Sequence, residues 1–397
     1  MTREWIWTTR VSDMRTGRQI LQAPEDYGTS FSPDDQALAA HQRGEGLGLG
    51  LSEVADRRAF RELVRDPSDG PSTYRDCAFS PTLPVLAAAM GDGFGFWDVR
   101  TGNQVARQVW PRGSAGVWFE RSGALLVHGH GGLTRWPARG VAPGVWRFGP
   151  PEPLAPPVTS SRGAGDFAAS LDGSVVVRGD VPASTVWRRD RPVAPVALSP
   201  HREVRHVEVS PDGRWVTTMG IGTEHVKVWD AGTGRLAREF SEATGPPQFS
   251  PDGRWLAAYD GRLRFWEVGT WRPITPGARD IAEGSRAVTF SPDGRLVALA
   301  GNDVRLLDPT TGHGVARLEG PARDQYRSLA FSPDGTMLAG AADYQSIHIW
   351  DLRAVRRELS AIGLDWDLPP YPPAMEIGSG EVKIEIDPGQ TATAAGL

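Results

Sequence analysis

The apolar positions of this chain fall in short runs of β-forming residues broken by polar turns. Eight times such a run ends in a turn of the Ser-Pro-Asp-Gly type, and about fifteen residues later an apolar run usually ends in Trp plus an acid. The full form, Phe331-Ser332-Pro333-Asp334-Gly335 followed by Ile347-His348-Ile349-Trp350-Asp351, recurs as Ser210 to Gly213 with Trp229-Asp230, Ser250 to Gly253 with Trp266-Glu267, and Ser291 to Gly294 with Leu307-Asp308. Weaker copies begin at Phe31, Phe79, Phe119 and Ala169. The turns start at positions 32, 80, 120, 170, 210, 250, 291 and 332, in steps of 48, 40, 50, 40, 40, 41 and 41 residues. A period near forty with two marks in each predicts a four-stranded sheet repeated around a ring.

Each mark has a local cause. Pro presets φ for the first central position of a type I turn, Asp supports the second through its side chain, and Gly takes the positive φ that closes the hairpin. Val207 to Ser210 leads into one such turn and Trp215 to Met219 leads out, with no helical period across them. Each repeat therefore reads as strands a, b, c and d, the last pair joined by a Thr-Gly turn at Thr16-Gly17, Thr101-Gly102, Thr233-Gly234 and Thr311-Gly312.

These paired marks resemble the WD-repeat family of β-propellers over roughly residues 4 to 352. Repeats rich in Ser-Pro-Asp-Gly also look like periplasmic propellers of the TolB type, but the Trp-Asp and Thr-Gly marks favour the WD-repeat reading. The Gly-His pair expected before strand a in that family is missing from every repeat, which implies that its buried Asp-His-Ser-Trp network is incomplete and that packing carries more of the rigidity. The segment from Asp351 to Pro372 is similar to the one that follows the last repeat in WD-repeat proteins of planctomycete-type bacteria. In such relatives the propeller is commonly fused to a protein kinase or a sigma-factor-like domain. This chain has no Gly-rich phosphate loop with its partner Lys and no His-Arg-Asp loop, so kinase chemistry does not carry over.

Two parts are expected: an all-β propeller over 1–352, with about eight four-stranded blades or alternatively seven, and a short helix with an extended tail over 353–397. With 397 residues and 40% hydrophobic content, the chain has ample material for such a core. The 15 Trp residues suit large side chains wedged between blades, with Trp118, Trp146 and Trp366 off the repeat pattern. An eight-bladed ring balances if Arg18 to Gln22 serves as the closing strand, leaving residues 1 to 13 as a surplus c strand and suggesting that the frame opens inside a repeat. Gly149 to Pro157, rich in Pro, is expected to bulge as a loop between the third and fourth repeats.

Net charge is -5, which argues against generic nucleic-acid binding because no basic run offers a phosphate track. The lone Cys77 allows neither a disulfide framework nor a cysteine zinc site. The chain shows neither the continuous apolar core of a signal peptide nor a membrane-length apolar run, so a cytoplasmic monomer is expected.

The candidate chemistry is thin. Gly44 to Gly50 and Gly91 to Gly95 lie between strands b and c and open no helix, so hairpins rather than phosphate loops are expected. His128-Gly129-His130 has no third ligand at a diagnostic spacing and reads as a solvated loop. No nucleophile elbow or His-Glu-x-x-His occurs, and no cofactor or metal is expected.

Function is then a matter of surface. In a propeller the d-a and b-c loops gather on one face, and the aromatic and Arg residues expected there are Tyr27, Tyr74, Arg205, Tyr259, Arg286, Tyr326, Arg327 and Tyr344. The reading is a non-catalytic protein-interaction scaffold or sensor for an unknown protein partner, expected as the C-terminal part of a signalling protein. The rival is an enzyme or small-molecule binder using the central channel, with Asp92, Glu224, His225, Asp260, Asp303 and Asp343 as contributors. In the tail, Leu352, Val355, Leu359 and Ile362 form one apolar stripe of a helix that ends near Gly363. With Trp366 they are expected to clasp the closing blade, and Glu381 to Asp387 alternates like an edge strand.

Overall fold

The computed structural model describes the backbone of residues 8–12, 19–24, 26–31, 37–44 and 46–53. It describes in full residues 59–65, 72–110, 113–155, 166–179, 183–190, 194–199, 201, 204–220, 225–241, 243, 245–259, 263–274, 287–301, 303–318, 320, 325–342, 346–361, 365–371 and 382–389, save the side chains of 64 and 259.

Each of the eight turn marks falls between the first two strands of an antiparallel sheet. Seven of these sheets have four strands, and the N-terminal one, Asp26–Phe31, Ala37–Gly44 and Gly46–Glu53, has three. The four-stranded blades begin with a strands at Tyr74–Phe79, Gly116–Phe119, Phe167–Ala169, Val204–Val209, Gln248–Phe249, Ala287–Phe290 and Tyr326–Phe331, and are numbered 1 to 7 in that order. Seven buried apolar clusters follow, one at each junction: blades 7 and 1, 1 and 2, 2 and 3, 3 and 4, 4 and 5, 5 and 6, and 6 and 7. The circuit therefore closes through seven blades, and the three-stranded sheet lies outside it beside Thr8–Ser12. Both counts weighed from the sequence are realised, eight repeat sheets with seven of them in the ring. The c-strand Trp residues Trp97, Trp136, Trp229, Trp266 and Trp350 sit in these junctions at 3% exposure or less. An aromatic of that size removes about 150–250 Å² from water.

The closing strand is not the expected one. Arg18–Gln22 falls mostly in Gln19–Pro24, which pairs with Thr8–Ser12, whereas Phe60–Val64 completes blade 7 through Leu63↔Ile347 and Arg61↔Ile349. Leu63 is fully buried where blades 7 and 1 meet, and Arg61 donates across that seam to the Val99 carbonyl. An apolar residue placed for the junction decides closure, and no Thr-Gly mark advertises it.

A second correction concerns Gly149 to Pro157. Glu152–Ala155 is the d strand of blade 2, paired with Leu133 to Arg135. It is an outer edge strand, where Pro is tolerated. The extra length of the repeat is instead a hairpin, Ala138–Ala142 with Val145–Phe148, inserted between strands c and d.

The repeated turn is built as its residues dictate. In blades 3 to 7 the turn Ser donates to its Asp at 2.5–2.6 Å, and its Oγ accepts the backbone N–H five residues on. The turn glycines, Gly213 at φ 69° among them, occupy the left-handed region that other residues enter at a cost.

Asp351, the acid of the last Trp-Asp mark, also caps the helix Leu352–Ala361 by accepting from Arg353 and Ala354 N–H. Leu352 is fully buried in the junction of blades 6 and 7, with Val355, Leu368 and Tyr371 packed against it. Leu359 is half-buried and Trp366 is buried under Arg356. Further on, Lys383–Ile386 pairs in parallel with Val145–Phe148 of the blade 2 hairpin. Among the described residues no helix is long and apolar enough to cross a membrane.

Candidate interaction face and channel wall

Around most of the ring the a strands of neighbouring blades contact one another, so they form the innermost layer around the axis. Pairing registers slip between Tyr74 and Asp76, between Val204 and His206, and between Tyr326 and Ser328. The extra residue at each bulge is an arginine, Arg75, Arg205 or Arg327, and each is exposed. A bulge re-aims the side chain it inserts. The result is three guanidinium groups on inner strands, at the end where the d-a loops arrive.

The expected face is only partly assembled. Arg205 and Arg327 are on it, and Arg75, which sequence reasoning missed, occupies the same repeat position. Tyr74 and Tyr326 are not, since each is 1% exposed and packs edge-on against the c-strand Trp of its own blade, Trp97 or Trp350. The Tyr326 hydroxyl also meets His348 Nδ1 at 2.8 Å. As the first residue of an a strand, each ring is turned into the blade junction. The two segments Tyr-Arg-x-x-Ala-Phe-Ser-Pro at 74 and 326 are copies, a sign that the Tyr belongs to the repeat. Tyr27 and Tyr259 lie on strands whose side chains are outside the described residues, and Arg286 and Tyr344 fall outside them altogether.

Below the arginines runs an arc of polar groups that the sequence did not suggest. Counting back four residues from the first residue of each turn gives Asp76, Gly116, Asp166, His206 and Ser328 in blades 1, 2, 3, 4 and 7. Ser328 Oγ donates to Asp76 Oδ1, while Asp76 Oδ2 accepts from Val117 N–H at 3.0 Å, so one carboxylate ties blade 7 to blade 2 through blade 1. Gly116 has no side chain, and the His128 imidazole from strand b fills its place. His128 Nε2 stands 3.8 Å from Asp166 Oδ1, and His206 Nδ1 stands 3.5 Å from Asp166 Oδ2. His128 is thus a buried wall residue rather than part of a solvated loop, because strand b extends through Gly129. Two residues along the same strand from His206, Glu208 Oε1 accepts from Gln248 Nε2 of blade 5 at 2.7 Å.

Burial shapes the charge of this wall. It pushes the Asp76 carboxyl up to about 6 despite bonds from Ser328, Val117 and Cys77 that favour the anion. Glu208 is pushed up to about 8, first by burial and then by the nearby Asp166 carboxylate. Burial holds His128 below the usual imidazole range. The wall therefore carries less charge at neutral pH than its composition suggests.

The acids proposed for the channel mouth have other work. Asp92 is held by Arg65, Arg107 and Ser72, and Asp303 by Arg305 and Arg317. His225 pairs with Glu239, while Glu224, Asp260 and Asp343 fall outside the described residues. Among the described residues no group of three or more His, Cys, Asp or Glu is arranged to hold a metal ion. Cys77 is buried, and burial pushes its thiol up, so it is a packing residue.

The family network thought incomplete has three of its members in blade 4. His201, which follows Pro rather than Gly, meets the Thr218 hydroxyl at 2.6 Å, and Trp229 Nε1 donates to the same oxygen at 2.8 Å, all of it buried. The missing Gly hid it, since the family's mark at this place is a Gly-His pair and here it is Pro200-His201.

The family model for the WD domain, G-beta repeat, matches residues 247–267 and 312–351, which are the a, b and c strands of blade 5 and the region from the last strand of blade 6 through strand c of blade 7. No curated protein matches the chain. Those matched repeats, set in a ring whose other blades share the same turn and inner strand, support the WD-repeat reading of this β-propeller.

Proposed function

We propose that the chain is a non-catalytic, cytoplasmic interaction scaffold or sensor whose partner protein docks on the loop face, with Arg75, Arg205 and Arg327 as its anchors. WD-repeat propellers generally mediate protein interactions as scaffolds. The observation that supports the reading here is the repeated bulge, which turns the same residue type outward in blades 1, 4 and 7. Arginine forks pair in bidentate fashion with carboxylates, so the partner surface is acidic. A place as the C-terminal part of a signalling protein fits such a platform.

Partner capture on the immobilised protein tests this, comparing wild type with Arg75→Glu/Arg205→Glu/Arg327→Glu and with Arg214→Glu/Arg254→Glu on the opposite, turn face. Loss with the first set alone is expected, and loss with the second alone sinks the assignment. The rival reading, a small-molecule binder in the channel, draws on the arc from Asp76 to His206. It predicts a ligand-dependent rise in melting temperature that Asp166→Asn abolishes.

A further inference from the structure

We propose that the outer groove between blade 1 and the inserted hairpin of blade 2 is a docking site for an extended strand of a partner protein, with apolar residues at alternate positions and an acid between them, and that residues 382–387 occupy it in cis. The site is separate from the loop face, and neither depends on the other.

The hairpin is an addition to blade 2, whose four strands are complete without it. Its strand Val145–Phe148 offers a free edge to the tail, which binds it in parallel. Lys383 N–H donates to the Gly144 carbonyl at 2.9 Å and Asp387 N–H to the Phe148 carbonyl at 2.8 Å, bracketing the four paired residues between them. Val382 and Ile384, 8% and 6% exposed, enter the apolar cluster that contains Phe94, Phe96 and Phe148. Phe94 and Phe96 come from strand c of blade 1 and Phe148 from the hairpin, so the floor of the groove is built without the tail.

The outward positions add charge selection. Arg147 donates through Nε and Nη2 to Glu385 Oε2 at 3.1 and 2.7 Å, and Arg139 stands directly across from Arg147 in the hairpin. The outer rim is therefore basic and suits an acid at the position of Glu385. This is strand addition to an exposed edge, in which the backbone supplies affinity and alternate side-chain pockets supply specificity.

The cis strand is a modest ligand. Parallel pairing is slightly weaker per residue than antiparallel. The Arg147–Glu385 pair has both side chains more than a third exposed, so water screens it. A tethered strand competes at an effective concentration on the order of mM, which holds the groove closed to weak strands and open to stronger ones.

The test uses the full chain carrying Ile384→Asp, which removes an apolar anchor from the tail and leaves the groove intact, titrated with a fluorescent peptide of residues 380–389. Binding about tenfold or more tighter than to wild type, equivalent to about 1.4 kcal/mol, is expected. Glu385→Arg in the peptide should weaken it, and Arg147→Glu in the protein should restore it. An Ile384→Asp chain that melts like wild type yet binds no peptide overturns the proposal. Should that variant not fold, Glu385→Arg in the full chain replaces it. Faster amide exchange over 383–387 together with peptide binding supports the site, and their joint absence overturns it. A wild-type dimer that the peptide dissolves assigns the groove to a second copy and overturns a foreign partner.

Discussion

The imidazole of His128 occupies the volume that a side chain on Gly116 would need: a Cβ at 116 would stand 2.1 Å from His128 Nε2 and 3.1 Å from Asp76 Oδ2. Two strands of blade 2 thus share one position on the channel wall. Gly116→Ala must expel the ring or distort the strand, at a cost of about 1–3 kcal/mol. Pairing it with His128→Ala should return much of that loss, and a double-mutant cycle in urea reads the coupling directly. Strict additivity would show that the two residues do not compete for space.

Glu208 should make the protein less stable as pH rises. Its folded value is about 8 against an ordinary 4.5, so across that window the native state keeps a proton the unfolded chain has released, and stability falls with increasing pH. Glu208→Gln keeps the neutral form and its contact with Gln248. Its melting temperature should match wild type near pH 4.5 and exceed it by a few degrees above pH 8. His201 and His348, both depressed to about 4 by burial, make stability rise with pH between about 4 and 6.5, but they do so in both chains and cancel in the difference. Melting curves that keep a constant offset from pH 5 to 9 would refute the assignment.

Thr218→Val removes one oxygen and leaves two buried partners, Trp229 Nε1 and His201 Nδ1, without it. Orphaning buried polar groups costs about 1–3 kcal/mol, seen as a lower urea midpoint. Thr218→Ser retains the hydroxyl and should recover most of the loss, whereas an equal loss in Ser would assign the effect to the methyl group.

Arg356 organises the start of the tail. It forks onto Asp365 at 2.9 and 3.0 Å, donates to the carbonyls of Leu368 and Pro369 at 2.7 and 2.6 Å, and lies over the rings of Trp366 and Tyr371. Arg356→Ala should cost about 1–3 kcal/mol and speed proteolysis after the helix, and Lys should not substitute because it lacks the planar fork. Wild-type resistance to protease in Arg356→Lys would show that charge alone suffices.

What could be read in advance was whatever repeats. Ser-Pro-Asp-Gly turns, c-strand Trp residues and inner strands are each set by neighbours within a few positions, so one copy announces the next. The bulge arginines were half legible: Arg205 and Arg327 stood out as cations near loops, while Arg75 lay hidden beside a Tyr mistaken for a surface anchor. The wall was missed because the repeat position that holds Asp76 and Asp166 is Gly116, His206 or Ser328 in other blades, and His128 reaches it from another strand. The pairing of Phe60–Val64 with blade 7, and of the tail with Val145–Phe148, joins segments far apart in the chain, and local pattern names a strand without naming its partner.

The use of Phe60–Val64 as the last strand of blade 7 sets a schedule for the ribosome. That strand is made early, but its partner Ser346–Asp351 appears about 280 residues later, which at roughly 5–20 residues per second is a delay on the order of 15–60 s. Throughout that interval the strand's backbone lacks its ladder partner, and Leu63 has only the blade 1 half of its junction on the nascent chain. Arg61 and Glu62, placed within the strand, are the kind of charges that discourage a waiting edge from pairing with the wrong neighbour. The closing blade is thus also the point at which synthesis, rather than stability, exposes this protein to misassembly.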